Sequence, residues 1–504
     1  MTKPPSYWTF VWKEKTNRKF LLYGLAACIL QFIVFKLLYP FPDCFNDSYW
    51  YVHAAVHQLD ISIWPIGYSK FLAAFHSLTS SHIALIAFQY FLFQLAAMHF
   101  YFTLLYFFNI RPWISNSIFV FIVSSPLTLY ISNTIASDTL FGALTLLWLG
   151  ELIWIVFRPR IQHLVVGGVL LFLCFTLRNT AYYYPFIAAL AIVLSHQRIW
   201  KKIAGIAFPI LLLIPFINFT KNAAYNLTGT RTFSLLTGWQ LANNVLYFYD
   251  HIHVDSIELP TAASREVNQL ALTFFHRSSP LEYRLFLNST DGNVYIINYQ
   301  SPLKRYFVGL QKGIDHPDMV QLWGRASVDF EPFGRSVILH HPWEYFRYFV
   351  LMNAGYYLLP QLSDLKTYNN NRDEVEPLIA NWFHYPATGV TSVSKDIQGY
   401  LFIYQVFFFL LHIYFVGVAF LIIVKARVIQ FPRRTVFLYC LLTTYLSLNA
   451  VFSASVTINL LRYQFIPMYV LLLTNLLLTE NIFRLYAEKS KPKLTEVTYN
   501  PTPL

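Results

Sequence analysis

Ten apolar stretches of roughly membrane-spanning length constrain this chain more than any other feature. They fall near 20–38, 82–107, 114–131, 139–157, 163–177, 180–196, 203–218, 399–424, 435–453 and 464–483. A helix needs about 20 mostly apolar residues to cross a bilayer. The composition points the same way. The chain is 56% hydrophobic and only 12% charged, whereas soluble domains carry about 25% charged residues. The expected fold is an all-α polytopic membrane protein of about ten transmembrane helices, its N-terminus retained rather than cleaved as a signal.

The net charge of +12 is a topology signal rather than a nucleic-acid footprint. With a cytoplasmic N-terminus, the inside segments 1–19, 108–113, 158–162, 197–202, 425–434 and 484–504 hold 19 Lys and Arg; the short outside segments hold four, Lys36, Lys70, Arg178 and Arg462. That asymmetry is the positive-inside pattern. It sends Asp43, Asp47, Asp138, Arg178, Arg462 and the long segment 219–398 to one outer face. Three regions follow: an N-terminal module 1–218 of about seven spans with outer loops 39–81 and 132–138, a mixed outer domain 219–398, and a three-span module with a cytoplasmic tail, 399–504. The stretch "VILHHPWEYFRYFVLMNAGYYLLP" (337–360) carries too many polar groups to span, and reads as a helix lying along the interface.

Few residues on that outer face can do chemistry. Asp43 and Asp47 sit in "FPDCFNDSYWY", directly after the first apolar stretch. Capping a helix at 46–58 is their plain structural role. The long loop, its aromatics Tyr49 and Trp50, and Lys70 in "WPIGYSKF" suit work on a lipid headgroup instead. Asp138, in "SNTIASDTLFG", complements a helix dipole, but two carboxylates in one cleft can also be held in different protonation states. Arg178 in "TLRNTAYYYP" and Arg462 in "INLLRYQFIP" either snorkel to headgroups or grip a phosphate through the planar guanidinium. Glu151 sits within a span near its inner end and reads as structural.

Other chemistries find no motif. The adjacent His340 and His341 point to different faces and form no i, i+4 metal pair. The chain lacks HExxH, a DxD in the outer loops, and a phosphate-binding GxxxxGK[ST], which argues against zinc hydrolysis, a metal-dependent nucleotide-sugar enzyme and an ATP-driven pump. Cys28, Cys44, Cys174 and Cys440 are widely spaced, so neither a zinc site nor a disulfide framework is expected. Glycosylation sequons begin at Asn46, Asn218, Asn226 and Asn288.

Through "NDSYWY", "ASDTLFG", "TLRNT" and "LLRYQFIP", and through its order of first span, acidic first outer loop, acidic second loop and large outer segment before the last spans, the chain resembles the GT-C integral-membrane glycosyltransferases. These include protein mannosyltransferases and lipid A aminoarabinose transferases. The resemblance implies a polyprenyl-phosphate-linked sugar donor, a glycan, lipid or protein acceptor, and an active site on the periplasmic or lumenal face of the bacterial inner membrane or endoplasmic reticulum. It makes Asp47 the catalytic base or the acid that orients the acceptor, with Asp43 as the alternative, and Asp138 its second-loop companion. Arg178, Arg462 and Lys70 would meet the donor phosphate, Tyr49 with Trp50 would bound a sugar-sized pocket, and Tyr463 is a further substrate-binding candidate. No metal or cofactor is expected, and no nucleic-acid partner; membrane lipids surround the chain. The rival expectation, a secondary transporter or flippase of lipid-linked glycans, calls for two related halves, which the seven-then-three division of spans does not supply.

Overall fold

The computed structural model describes residues 6–277, 292–425, 429–456 and 459–489. The Asn288 sequon and the tail from 490, with its share of the inner charge, lie outside the described residues. Among those described, every element is helical, joined by three isolated bridges. The described part of 219–398 is therefore helical too, in place of the mixed content expected from its sequence.

Eight helices are long and apolar enough to cross a membrane: Lys15–Leu38, His82–Phe107, Pro112–Ser132, Asp138–Phe157, Ile199–Thr228, Ile397–Val424, Arg433–Val456 and Phe465–Arg484. They mark a multi-pass membrane protein. Two shorter apolar helices, Ile161–Leu177 and Asn179–Leu194, match the fifth and sixth apolar stretches. Each falls short of a full span because the chain turns out of helix at Arg178, whose backbone is extended (φ −149°, ψ 139°).

Burial sorts the helices. In Asp138–Phe157 78% of the most apolar stretch is buried inside the protein, against 17% in Ile397–Val424. The first is the centre of the bundle and the second presents most of its surface outward, as a lipid-facing helix does. Close approach at the centre uses small residues: a Cβ on Gly142 would come within 2.6 Å of the Ile466 side chain.

Ile199–Thr228 runs unbroken past 218. At about 1.5 Å per residue its 30 residues exceed a ~30 Å hydrocarbon core, so its far end carries the chain clear of the bundle. There Ala224 packs with Leu235, Val320 and Ile61, and Gly229 ends the helix in the left-handed conformation (φ 76°) that glycine adopts without strain. Beyond it lies a second hydrophobic core built on Trp239, Tyr295, Phe307, Phe330 and Phe333. Thr237–Leu246 lies on Met319–His340 so closely that Gly238 Cβ would sit 1.8 Å from the Ser327 carbonyl oxygen. Glycine at 238 sets that spacing, and the Gly238 N–H donates to Ser327 Oγ at 3.0 Å.

The segment 337–360 is not one helix. Met319–His340 stops before Pro342, a π-helical turn covers Tyr345–Val350, and Leu351–Leu358 follows. One side packs on Arg433–Val456, where Asn353 Nδ2 donates to the Ser453 carbonyl at 2.9 Å; the other leaves Trp343 63% exposed.

Candidate functional site

Two short backbone pairings gather the loops at the end of the bundle that bears 219–398. In the first, Asp43 N donates to the Asn133 carbonyl at 2.8 Å and Asp43 bridges Thr134, which draws the start of Asn46–Val56 to the start of Asp138–Phe157. In the second, Leu461 N donates to the Gln361 carbonyl at 2.7 Å and Gln361 N to that of Asn459 at 3.0 Å. This pairing lays the turn at Ser363–Leu365 against the turn that carries Arg462.

The charged residues meet where these pairings converge. Asp47 lies in the first turn of Asn46–Val56 and Asp138 opens its own helix, so both carboxylates sit where a helix dipole favours negative charge. Arg462 Nη2 donates to Asp47 Oδ2 at 2.6 Å and lies 3.2 Å from Asp364 Oδ2; Nη1 lies 3.4 Å from Asp138 Oδ2. Arg178 Nη1 pairs with the other oxygen of Asp138. Asp138 is thus held between both arginines, with its side chain 3% exposed. Tyr463 binds the group together: its hydroxyl accepts from Arg462 Nη2 at 3.0 Å, and its ring lies 4.5 Å from the Arg178 guanidinium carbon and 4.7 Å from that of Arg462. Burial disfavours charge on Arg462, but Tyr463, Asp47, Asp138 and Asp364 outweigh it and hold the guanidinium charged.

Asp47, Arg178, Arg462 and Tyr463 line one cavity of about 450 Å³. Thr237–Leu246 forms another wall of it, presenting Thr237, Gln240 and Asn244; Leu177, Leu236 and Phe452 make part of the remainder apolar. The wall is braced from the bundle, because Gln240 Nε2 donates to Asn244 Oδ1 at 2.9 Å and Asn244 Nδ2 to the Val456 carbonyl at 3.2 Å.

Four of the eight residues singled out from sequence line this cavity, and Asp138 lies directly behind it. The other three lie elsewhere. Lys70 pairs with Asp60 at 3.2 Å on the surface. Tyr49 packs on Trp50 and His53; its neighbour Tyr51 lines the cavity instead, bonded to Ser137 Oγ at 3.0 Å. Asp43 is buried, and its carboxylate accepts from Asn369 N at 2.9 Å and Gln398 Nε2 at 3.4 Å. It anchors the left-handed turn Asn369–Asn371. Burial pushes its carboxyl up to about 7, against those two hydrogen bonds.

Asp364 and the amides Gln240 and Asn244 give no sequence signal. Asp364 is one of 16 acids in a nearly neutral segment, and only the 361/460 pairing brings it to Arg462. Among the described residues, no group of three His, Cys, Asp or Glu side chains is placed to hold a metal ion. No family model, curated protein or solved structure matches the chain.

Proposed function

We propose that this protein is an integral-membrane glycosyltransferase that moves a sugar from a polyprenyl-phosphate carrier to an acceptor on the outer face, with inversion. The observation that carries the reading is that Asp47 shares one cavity with Arg178 and Arg462. A candidate base and two cations then border the same space. In this reading the chain crosses the membrane ten times, the two short helices on either side of Arg178 included; 219–398 lies outside, and the segment around Trp343 rests on the bilayer surface.

The acceptor hydroxyl oxygen attacks the anomeric carbon as the bond from that carbon to the phosphate oxygen breaks. The electron pair leaves with the polyprenyl phosphate, and Asp47 takes the hydroxyl proton as general base. Arg462 and Arg178 stabilise the charge gathering on the departing phosphate. Asp138 holds both guanidiniums in position, and the amide wall of Thr237–Leu246 faces the sugar with hydrogen-bonding groups.

The test is to incubate the purified protein with polyprenyl-phosphate sugars and a lipid extract, and to assay free polyprenyl phosphate. Its release, dependent on Asp47 and on an acceptor, supports the reading. Movement of intact lipid-linked sugar across vesicles with no release would replace it with the flippase.

A further inference from the structure

Arg462 has five N–H donors and uses them unevenly. Nη2 serves Asp47, Asp364 and Tyr463, while Nη1 has Asp138 at 3.4 Å. Nε is buried and has no acceptor among the described residues. A buried donor left unmade is costly. The planar guanidinium grips an oxyanion through two parallel N–H groups on one edge, and the edge that carries Nε also carries Nη2. Asp47, Asp364 and Tyr463 share Nη2, one half of that edge, and Nε, the other half, has no acceptor among the described residues.

The charge balance leads to the same place. Three carboxylates, Asp47, Asp138 and Asp364, surround two guanidiniums, so the group already has one negative charge in excess. A phosphate added to it intact meets repulsion, and one carboxylate has to leave. Asp138 is clamped by both arginines. Of the three acids only Asp47 lines the cavity.

We infer that Arg462 is an exchange site: a phosphate anion entering the cavity takes the Nε–Nη2 edge and displaces the Asp47 carboxylate. The inference rests on the proposed glycosyltransferase reading and adds an order to it. Before the donor arrives, Asp47 is held by Arg462 and is unavailable to an acceptor hydroxyl. Donor binding gives Nε an acceptor and frees the base in one event, so donor precedes acceptor.

The test measures binding of undecaprenyl monophosphate to the full-length protein in nanodiscs, with melting curves to confirm that each variant is folded. Asp47→Asn removes the competing charge, and close-range charge interactions of this kind are large enough for a gain of about tenfold or more. The gain should vanish in Asp47→Asn combined with Arg462→Lys, which keeps the charge and loses the fork. Inorganic phosphate, used as a competitor, should gain by the same factor. A gain confined to the lipid would locate the effect at the tail and overturn the exchange. If Asp47→Asn binds no tighter than the wild type while Arg462→Lys binds more weakly, the exchange fails and the phosphate site stands. If undecaprenyl monophosphate binds neither the wild type nor Asp47→Asn, the glycosyltransferase reading fails with it.

Discussion

Arg462 Nη2 lies 2.6 Å from Asp47 Oδ2, a contact between residues 415 positions apart. It joins the first turn of Asn46–Val56 to the loop before the last helix, at one end of the bundle. Both partners are largely buried, with side chains 6% and 15% exposed. The pair therefore carries structural and chemical consequences that separate under substitution.

Asp47→Asn is expected to lower turnover by about 10²–10⁴-fold, the usual contribution of a general base, while the lipid donor still binds. Asp43→Asn should retain most of its turnover, because Asp43 is engaged with Asn369 and Gln398. Transfer rate and donor affinity measured together separate the two. Near-normal turnover in Asp47→Asn with a dead Asp43→Asn would move the base four residues back.

Asp138→Ala should destabilise the fold more than Asp47→Asn does. It strips a carboxylate from two buried guanidiniums at once, and breaking a buried pair from one side costs about 3–5 kcal/mol. Thermal unfolding in detergent reads this directly. Equal melting temperatures for Asp138→Ala and wild type would show that the arginines find other partners.

Asp43 makes stability depend on pH. Its carboxyl is raised to about 7 by burial, so between its unfolded value of about 4 and 7 the folded chain binds the proton more tightly than the unfolded one. The stability from this group is fully present below pH ~4 and is lost as pH rises towards 7. Subtracting the Asp43→Asn melting curve from the wild-type curve at each pH should show that decline, flat above 7. A difference that rises with pH, or stays level, contradicts the assignment.

Gly238→Ala should disturb the cavity wall without touching a charged group. The added methyl meets the Ser327 carbonyl oxygen, which is backbone and cannot rotate away. Overpacking of this kind costs about 1–3 kcal/mol. The melting temperature should fall, and with it the affinity for any ligand that touches Gln240 or Asn244. An unchanged melt would mean that the two helices separate freely.

Topology is testable without a substrate. The 19 to 4 division of cations predicts position 300 outside and position 200 inside. On a cysteine-free background, Gln300→Cys should react with an impermeant maleimide in intact cells, and Trp200→Cys only after permeabilisation. The reverse pattern would invert the protein.

That this chain is a bundle of apolar helices could be read without any tertiary information, because spanning runs are local and additive: each follows from about 20 consecutive residues. The sequence also singled out Asp47, Asp138, Arg178 and Arg462, since charges are scarce at the ends of apolar segments and stand out one by one. What it left open depended on contact across the chain. Lys70 and Tyr49 have the right chemistry at the right loop, yet Lys70 spends its charge on Asp60, and the helical rotation of Asn46–Val56 sends Tyr51 into the cavity in place of Tyr49. Asp43 and Asp47 are four residues apart in one loop, and the sequence favours Asp47 while leaving Asp43 as its alternative. Only the pairing of Asp43 with Asn133 and Asn369 buries one carboxylate in a turn and leaves the other on Arg462. Asp364 joins them through a bridge between residues 361 and 460. Such partners are chosen by tertiary packing, because hydrogen bonding and burial at a given residue depend on which distant segment closes over it.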